Sequence, residues 1–235
     1  ENFELSDQIA HANLCGFGKS VIQAVLEGKV EQLVLVNCCD SMRRVYDIVE
    51  STGKCKFLYM LDMPHEDNDC EKVKLAQGIH RLKKAYEKFS GKTFDRSGFL
   101  NAFSHEPVDN QPYIGVLGVR VSGILEKMIR DNIRMDVENL TCTGGRRLAV
   151  IREELEKMED DAMFLAYADA LLSQMPCFRM NNSTRRNRLY LDPNLKGIIY
   201  HTIKFCDYYG FEYASIKRDI KVPLLKIETD FTSQS

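Results

Sequence analysis

The hydrophobic and polar positions of the chain follow two alternating patterns. Short apolar runs rich in Val, Leu and Ile are typical of strands buried on both faces of a sheet. Longer stretches in which apolar residues recur every three or four positions predict helices. Gly28 and Gly53 are expected to end two of these helices, and Asp40 or Ser41 to cap the start of one. In the first half of the chain, strands are predicted at 30–37 and 55–63, and helices at 16–28, 40–53, 70–89 and 95–104.

The alternation restarts after residues 105–112, whose sequence HEPVDNQP contains two prolines, has few apolar residues and predicts a linker. Strands alternating with helices favour parallel sheets. We therefore expect an α/β fold of two doubly wound parallel-sheet domains, residues 1–108 and 109–235. Beyond the linker, strands are predicted at 113–121, 134–140, 196–205 and 222–230, and helical segments at 122–132, 144–175 and 207–221.

Composition excludes several classes of protein. The chain has 235 residues, of which 44% are hydrophobic and 28% charged, as is ordinary for a globular protein. With 32 basic and 34 acidic residues the net charge is −2, which gives no electrostatic case for binding nucleic acid. No apolar run approaches the ~18–20 residues that cross a bilayer, and the start does not resemble a signal peptide. We expect a cytoplasmic protein without a nucleic-acid or membrane partner, and a chain cut from a longer one.

Cysteine is the unusual component of the sequence. In a chain without a secretion signal, metal or redox chemistry is a stronger interpretation than disulfides, although cysteine is also common as a small buried residue. The chain contains eight cysteines, at positions 15, 38, 39, 55, 70, 142, 177 and 206.

Position is more informative than number. Cys38 and Cys39 follow a predicted strand, Cys206 follows another, and both sites continue with Asp. Ligands of doubly wound proteins bind outside the carboxyl ends of the strands, so Cys15, Cys39 and Cys206 would converge if the domains face each other. Their spacing matches neither zinc ribbons nor ferredoxins. Three thiolates from separate strand ends suit an iron–sulfur cluster better than a structural zinc, which normally has four protein ligands.

Several segments resemble one family. The segments NLC, VNCCDSMRRVYDI, MPCFRMNN, GIIYHTIKFCDYYGFEYASIKRDI and VPLLKIETDFTSQS are similar, in this order, to the 2-hydroxyacyl-CoA dehydratase D-component family. That family also includes benzoyl-CoA reductase subunits and double-cubane-cluster reductases. The resemblance implies two Rossmann-like (flavodoxin-like) domains that hold a [4Fe-4S] cluster. Residue by residue, it implies Cys15, Cys39 and Cys206 as the ligands.

The other cysteines leave alternatives open. Cys38 is a second choice to Cys39, because it would point to the opposite side if the backbone stays extended. Cys177 matches a segment in which relatives carry a CPC sequence. Cys142 lies near, but offset from, a cysteine of the double-cubane relatives. Cys55 and Cys70 match nothing and are expected to be structural.

Carboxylates and loops add further candidates. Glu228 and Asp230 end the last predicted strand at the same sheet edge as Cys206, where either could act as an acid or base or form a structural hydrogen bond. His201 is expected to be buried. The segment TGGRR, with Gly144, Gly145, Arg146 and Arg147, is interpreted as a turn and helix start rather than a phosphate site for coenzyme A, whereas 181–188 favours a substrate-contacting loop.

The function implied by the resemblance is that of a hydro-lyase. A one-electron reduction would turn the thioester carbonyl of a 2-hydroxyacyl-CoA into a ketyl and promote loss of water to give a 2-enoyl-CoA. The expected partners are an ATP-hydrolysing iron–sulfur activator protein and a homologous subunit or second copy, with an acyl-CoA as substrate. The alternatives are an ATP-dependent reductase of the double-cubane or benzoyl-CoA type and a non-catalytic, partner-binding family member.

Overall fold

The computed structural model describes residues 3–102, 111–141, 144, 152–173, 186 and 190–230. The chain divides into two compact units. One is formed by Glu1–His105, Leu148–Gln174 and Phe231–Ser235, and the other by Glu106–Arg147 and Met175–Asp230. The predicted domain boundary after residue 108 falls in the stretch 103–110, outside the described residues.

Each unit contains a parallel sheet flanked by helices, which confirms the predicted fold class. None of the helices in the described ranges is both long and apolar enough to cross a membrane. In chain order the described elements are α1 (Glu4–Ile9), α2 (Gly16–Leu26), β1 (Gln32–Val36), α3 (Asp40–Thr52), β2 (Phe57–Leu61), α4 (Asp69–Ser90), α5 (Arg96–Asn101), β3 (Tyr113–Gly118), α6 (Gly123–Asn132), β4 (Asp136–Asn139), α7 (Arg152–Glu156), α8 (Asp160–Ser173), β5 (Leu195–Ile203), α9 (Asp207–Asp219) and β6 (Leu224–Thr229).

In the first unit, α2 and α3 pack together beside the pair β1–β2. The strands run parallel with Val36 opposite Leu61, so their carboxyl ends lie side by side. Gly18 allows the helices to approach closely, because an added Cβ would lie 2.9 Å from Val45 Cγ2. This packing brings the amino-terminal ends of α2 and α3 together. The buried core here consists of Leu14, Ile22, Val25, Leu35, Met42, Val45 and Val49.

The first unit also includes a helical segment that comes much later in the chain. Helix α8 packs against α4, although β3 and β4 of the second unit lie between them in sequence. Arg96 of the first unit's α5 holds this later segment in place. Its Nη1 lies 2.7 Å from Asp160 Oδ1, and its Nη2 donates to the Leu155 carbonyl at 3.0 Å. The helical pattern at 144–175 predicted α7 and α8, but it could not show which unit they join.

The second unit has its strands in the order β4–β3–β5–β6, all parallel. The chain leaves β3 for β4 on one side and returns to β5 on the other, so the direction of winding reverses between β3 and β5. Such a reversal is where doubly wound proteins bind ligands, outside the carboxyl ends of the strands. Val116, Ile198 and Tyr200 are almost fully buried, which explains the continuous apolar runs of β3 and β5.

A buried ion pair lies beside this sheet. Arg186 bonds to Glu212 of α9, and the hydroxyls of Tyr190 and Tyr200 donate to the same carboxylate. Burial opposes the charge of Arg186, but the carboxylate of Glu212 outweighs it and raises the pKa of the guanidinium. Arg186 lies in the stretch 181–188, which the sequence analysis predicts to be a substrate-contacting loop. The structure instead gives Arg186 a structural role, and the rest of that stretch lies outside the described residues.

We predict that Glu212→Gln lowers the free energy of unfolding by about 3 kcal/mol, because it leaves the buried charge of Arg186 uncompensated. Glu156→Gln is the matched control. It breaks an exposed pair with Arg152 at 2.8 Å, and we expect a loss of about 0.5 kcal/mol or less. Urea denaturation of both variants measures the difference. Equal losses would contradict the structural role assigned to the buried pair.

Candidate functional site

The three cysteines that the sequence selected each occupy the N-cap position of a helix. Cys15 precedes α2, Cys39 precedes α3 and Cys206 precedes α9. The predicted caps Asp40 and Ser41 therefore lie inside the first turn of α3. Cysteine is not a favoured N-cap, but the positive end of a helix stabilises a thiolate. Other helices of the chain have ordinary caps, with side chains that accept the N–H three residues on: Asn68 (α4), Asp95 (α5) and Ser122 (α6).

Cys15 and Cys39 lie close together in the first unit. Burial raises the pKa of the Cys15 thiol, which is only 8% exposed. The backbone N–H of Gly18 opposes this rise, the neighbouring Cys39 thiolate adds to it, and the Ser41 hydroxyl lowers the pKa again. The Ser41 side chain therefore hydrogen-bonds to the sulfur of Cys15, and Cys39 is near enough to act on it electrostatically. The contact between α2 and α3 therefore brings two predicted ligands together.

The choice of Cys39 over Cys38 rested on a backbone that stays extended, and it stays a prediction. Cys39 itself is extended, with φ −165° and ψ 165°, but the chain turns just before the pair. The N–H of Cys38 donates to the carbonyl of Val36 at 2.8 Å, so the chain turns at Asn37 immediately after β1. Both cysteines are half-buried and pack at the edge of the same core. The influence of Cys39 on Cys15 now provides the argument that favours Cys39.

In the second unit a strained turn precedes Cys206. The N–H of Cys206 donates to the carbonyl of Ile203 at 3.1 Å, and Phe205 within this turn has φ +63°. Of the residues that the structure describes, Phe205 is the one non-glycine with positive φ. This conformation costs an L-residue about 1–2 kcal/mol. Such strain concentrates at functional sites, and here it sets the start of α9 and the place of Cys206.

His201 joins three strand ends at the same edge. Its Nδ1 lies 3.1 Å and 3.0 Å from the carbonyl oxygens of Val119 and Arg120, and its Nε2 lies 2.8 Å from Thr229 Oγ1. Nδ1 faces only acceptors here, so it carries the proton and Nε2 accepts from the hydroxyl. The predicted burial of His201 is confirmed, at 2% exposure, and burial lowers its pKa so that the ring stays neutral.

Gly118 makes this arrangement possible. It ends β3 with φ +93°, and an added Cβ would lie 2.1 Å from the carbonyl oxygen of His201. The next residue, Val119, donates its N–H to that same oxygen at 2.9 Å. Only glycine allows the ends of β3 and β5 to meet this closely.

Two carboxylates lie near the carboxyl end of β6, with Glu228 inside the strand and Asp230 directly after it. Glu228 Oε2 lies 2.7 Å from Lys226 Nζ, and Asp230 Oδ2 lies 3.2 Å from Lys204 Nζ. The hydrogen bond from Lys226 holds the pKa of Glu228 below its ordinary value. Glu228 is therefore ionised at neutral pH, which suits a proton acceptor better than a proton donor. The catalytic roles of Glu228 and Asp230 stay predictions.

The matched family agrees with this arrangement. The family model of the D-component of 2-hydroxyglutaryl-CoA dehydratase matches residues 1–107 and 108–235. The chain belongs to this family. The resemblance inferred from the cysteine-containing segments is thus confirmed, and the family is that of a dehydratase component. No curated protein matches the sequence.

The described part of this dehydratase-family chain contains no group of three or more His, Cys, Asp or Glu side chains arranged to hold a metal. Cys15 and Cys39 belong to the first unit and Cys206 to the second. The further candidates Cys142, Cys177, Gly145, Arg146 and Arg147 lie outside the described residues.

The remaining candidates have structural explanations. Gly144 is part of a tight turn, since its N–H donates to the Thr141 carbonyl at 3.0 Å and an added Cβ would lie 1.7 Å from the Asn139 oxygen. The Cys55 thiol donates to the carbonyl of Phe57 at 3.2 Å. Cys70 is exposed in the first turn of α4, where it serves as a natural control position.

The state of His201 gives a pH prediction. Its native pKa lies below its ordinary value of 6.5, so the unfolded chain takes up the proton first as the pH falls. The contribution of His201 to stability is therefore complete above about pH 6.5 and is lost as the pH falls towards the depressed native pKa. We expect the stability difference between the wild type and His201→Gln to shrink over this range in urea denaturation. His65→Gln, at an exposed position, reports what a surface histidine contributes. A difference that stays constant or widens on acidification would refute the assignment.

Proposed function

We propose that this chain is a 2-hydroxyacyl-CoA dehydratase subunit that binds a [4Fe-4S] cluster through Cys15, Cys39 and Cys206. The observation that carries the proposal is the shared position of these cysteines. Each begins a helix at the carboxyl edge of a parallel sheet, in a chain that belongs to a dehydratase family. The domains at 1–108 and 109–235 would each contribute to the ligand set.

The donors suit such a cluster. Thiolates are the ligands that iron–sulfur clusters take, and three of them would leave one iron open. When bound, the cluster would supply a Lewis-acidic iron for a substrate oxygen and the capacity to take up one electron.

The chain's own groups prepare this site. Each of the three cysteines lies at the amino-terminal end of a helix, α2, α3 or α9, where the positive end of the helix dipole would favour a thiolate. At Cys15 the backbone N–H of Gly18 also acts to lower the pKa of the thiol. Burial of Cys15 keeps water from one side of the site, whereas the half-buried Cys39 and Cys206 leave it accessible. His201 and Gly118 hold the strand ends from which the second unit would act.

The proposed reaction removes water from a 2-hydroxyacyl-CoA and leaves a 2-enoyl-CoA. The hydroxyl leaves C2, a proton leaves C3, and the two combine as water. We assign the proton-accepting role to Glu228, or to Asp230, because both are carboxylates near the carboxyl end of β6, at the sheet edge that carries Cys206. An ATP-hydrolysing iron–sulfur activator would deliver one electron to start the reaction. Because dehydration involves no net oxidation or reduction of the substrate, this electron would be recovered when the 2-enoyl-CoA forms. A homologous subunit or second copy would complete the enzyme, as the family's name of a component suggests.

Iron and sulfide analysis after oxygen-free preparation tests the ligand set. We expect about four irons per chain in the wild type. Cys39→Ser and Cys206→Ser should lose most of this iron, because each removes a thiolate ligand. Cys70→Ser should retain the wild-type content, since its thiol is exposed and far along the chain from the predicted ligands.

Three outcomes would contradict this proposal. About eight irons per chain would indicate a double-cubane reductase instead. A colourless wild-type chain without iron would support a non-catalytic family member. If Cys38→Ser loses iron and Cys39→Ser retains it, Cys38 and not Cys39 is the cluster ligand.

Activity with a 2-hydroxyacyl-CoA, the activator and ATP tests the carboxylates. We expect Glu228→Gln to slow formation of the 2-enoyl-CoA about 100-fold, the lower end of what a general base contributes. Its iron content should stay that of the wild type. Asp219→Asn, at the last residue of α9 and so at the other end of that helix from Cys206, should leave the rate unchanged. Full activity in both Glu228→Gln and Asp230→Asn would refute the assignment.

A further inference from the structure

One arginine spans the turn that carries the cysteine pair. The Nε of Arg43 donates to Asn37 Oδ1 at 2.6 Å, and its Nη1 donates to Asp40 Oδ1 at 3.2 Å. Asn37 directly precedes Cys38, and Asp40 directly follows Cys39. A single guanidinium therefore bonds to the residues on both sides of the two cysteines and links the two ends of the turn that contains them.

The turn is anchored on its other sides as well. Asn37 Nδ2 donates to Asp62 Oδ1 at 2.9 Å, and the N–H of Asn37 donates to the Leu61 carbonyl at 2.8 Å. These bonds fix the start of the turn to the end of β2. The N–H of Arg43 donates to the carbonyl of Cys39 at 3.3 Å and so joins the end of the turn to α3.

The geometry needs arginine in particular. A guanidinium presents several donors in a rigid fork, whereas a lysine ammonium is a single point that cannot bond to Asn37 and Asp40 in the same way. The group is exposed, so its ion pair adds little to overall stability. Its positive charge also balances the carboxylate of Asp40, the residue that follows Cys39. The arrangement is thus better suited to shaping the turn than to stabilising the fold.

We propose that Arg43 is a positioning residue that holds the Asn37–Asp40 turn in the conformation that presents Cys39 to its metal. This inference rests on the proposed function, because it assigns Arg43 to the same cluster site. Arg43 acts through Cys39 and contacts neither substrate nor cluster in this role.

The chain supplies a matched control at the next position. Arg44 lies on the same helix, is also exposed, and pairs with Asp47 at 2.9 Å. The partners are three positions apart in both pairs, but Asp40 precedes its arginine and Asp47 follows it. Arg44 has no bond to the turn among its described contacts. Arg44→Gln therefore reproduces the loss of a charge and of a helical ion pair while it spares the turn.

Hydrogen exchange of the metal-free full chain tests the turn without requiring iron. We expect the amides of residues 38–43 to exchange faster in Arg43→Gln than in the wild type, and at the wild-type rate in Arg44→Gln. Equal exchange in all three proteins would overturn the inference, whatever the iron content.

Iron release from the cluster-loaded chain to a chelator, without oxygen, tests the effect on the site. We expect release about tenfold faster in Arg43→Gln, the range in which supporting residues influence metal affinity. Arg43→Lys should also release iron faster, because it keeps the charge but not the fork, while Arg44→Gln should match the wild type. Iron release from Arg43→Gln at the wild-type rate would overturn the inference.

The reduction potential separates charge from geometry. We expect the potential to fall in Arg43→Gln, which leaves the charge of Asp40 unbalanced, and to change little in Arg43→Lys. An unchanged potential in Arg43→Gln would count against a place for Arg43 beside the cluster. If the wild type takes up no iron, the proposed function fails, and hydrogen exchange still decides whether Arg43 holds the turn.

Discussion

Parallel pairing of neighbouring strands is the constraint from which the candidate site follows. In a parallel sheet the carboxyl ends of adjacent strands lie at one edge, so the residues that follow them become neighbours even when they are far apart in sequence. In the first unit this edge brings Asn37 beside Asp62. In the second, it allows His201 to bond to Val119 and Thr229, which follow or end the two adjacent strands.

The chain gives up local stability at this edge. A good N-cap contributes about 1 kcal/mol to a helix, and three helices begin instead with cysteine. The left-handed Phe205 adds a strain of about 1–2 kcal/mol beside Cys206. Away from the edge, Asn68, Asp95 and Ser122 cap their helices in the ordinary way. The three helices that begin at predicted ligands thus lack the caps that α4, α5 and α6 have, and breaks of local rules of this kind are expected at functional sites.

Much of the fold could be predicted from the sequence because strands and helices leave strong local patterns. The buried runs of β3 and β5, the left-handed Gly53 after α3 and the burial of His201 were all accessible in this way. Packing between distant segments was not. The bond from Arg96 to Asp160 spans 64 positions, and no periodicity indicates that α8 returns to the first unit.

The site shows the same division between local and distant information. The CD and FCD sequences singled out Cys39 and Cys206 as predicted ligands. The polarity of 181–188 suggested a substrate-contacting loop, although Arg186 is paired in the interior. Arg43 was missed for a related reason. Its i,i+3 spacing from Asp40 indicates an ordinary helical ion pair, and only the turn at Asn37 converts that pair into a bridge over two cysteines.

Burial of Cys15 links the fold to the chemistry that the site would perform. Because burial raises the pKa of this thiol, the metal-free chain holds it protonated at neutral pH, and a metal bound there must displace the proton. The adjacent Cys39 is half-buried and so more exposed than Cys15. The pair thus combines an accessible sulfur with a shielded one. That combination requires α2 and α3 to pack as closely as Gly18 permits, so the helix contact that forms the core of the first unit also determines the spacing of its two predicted ligands.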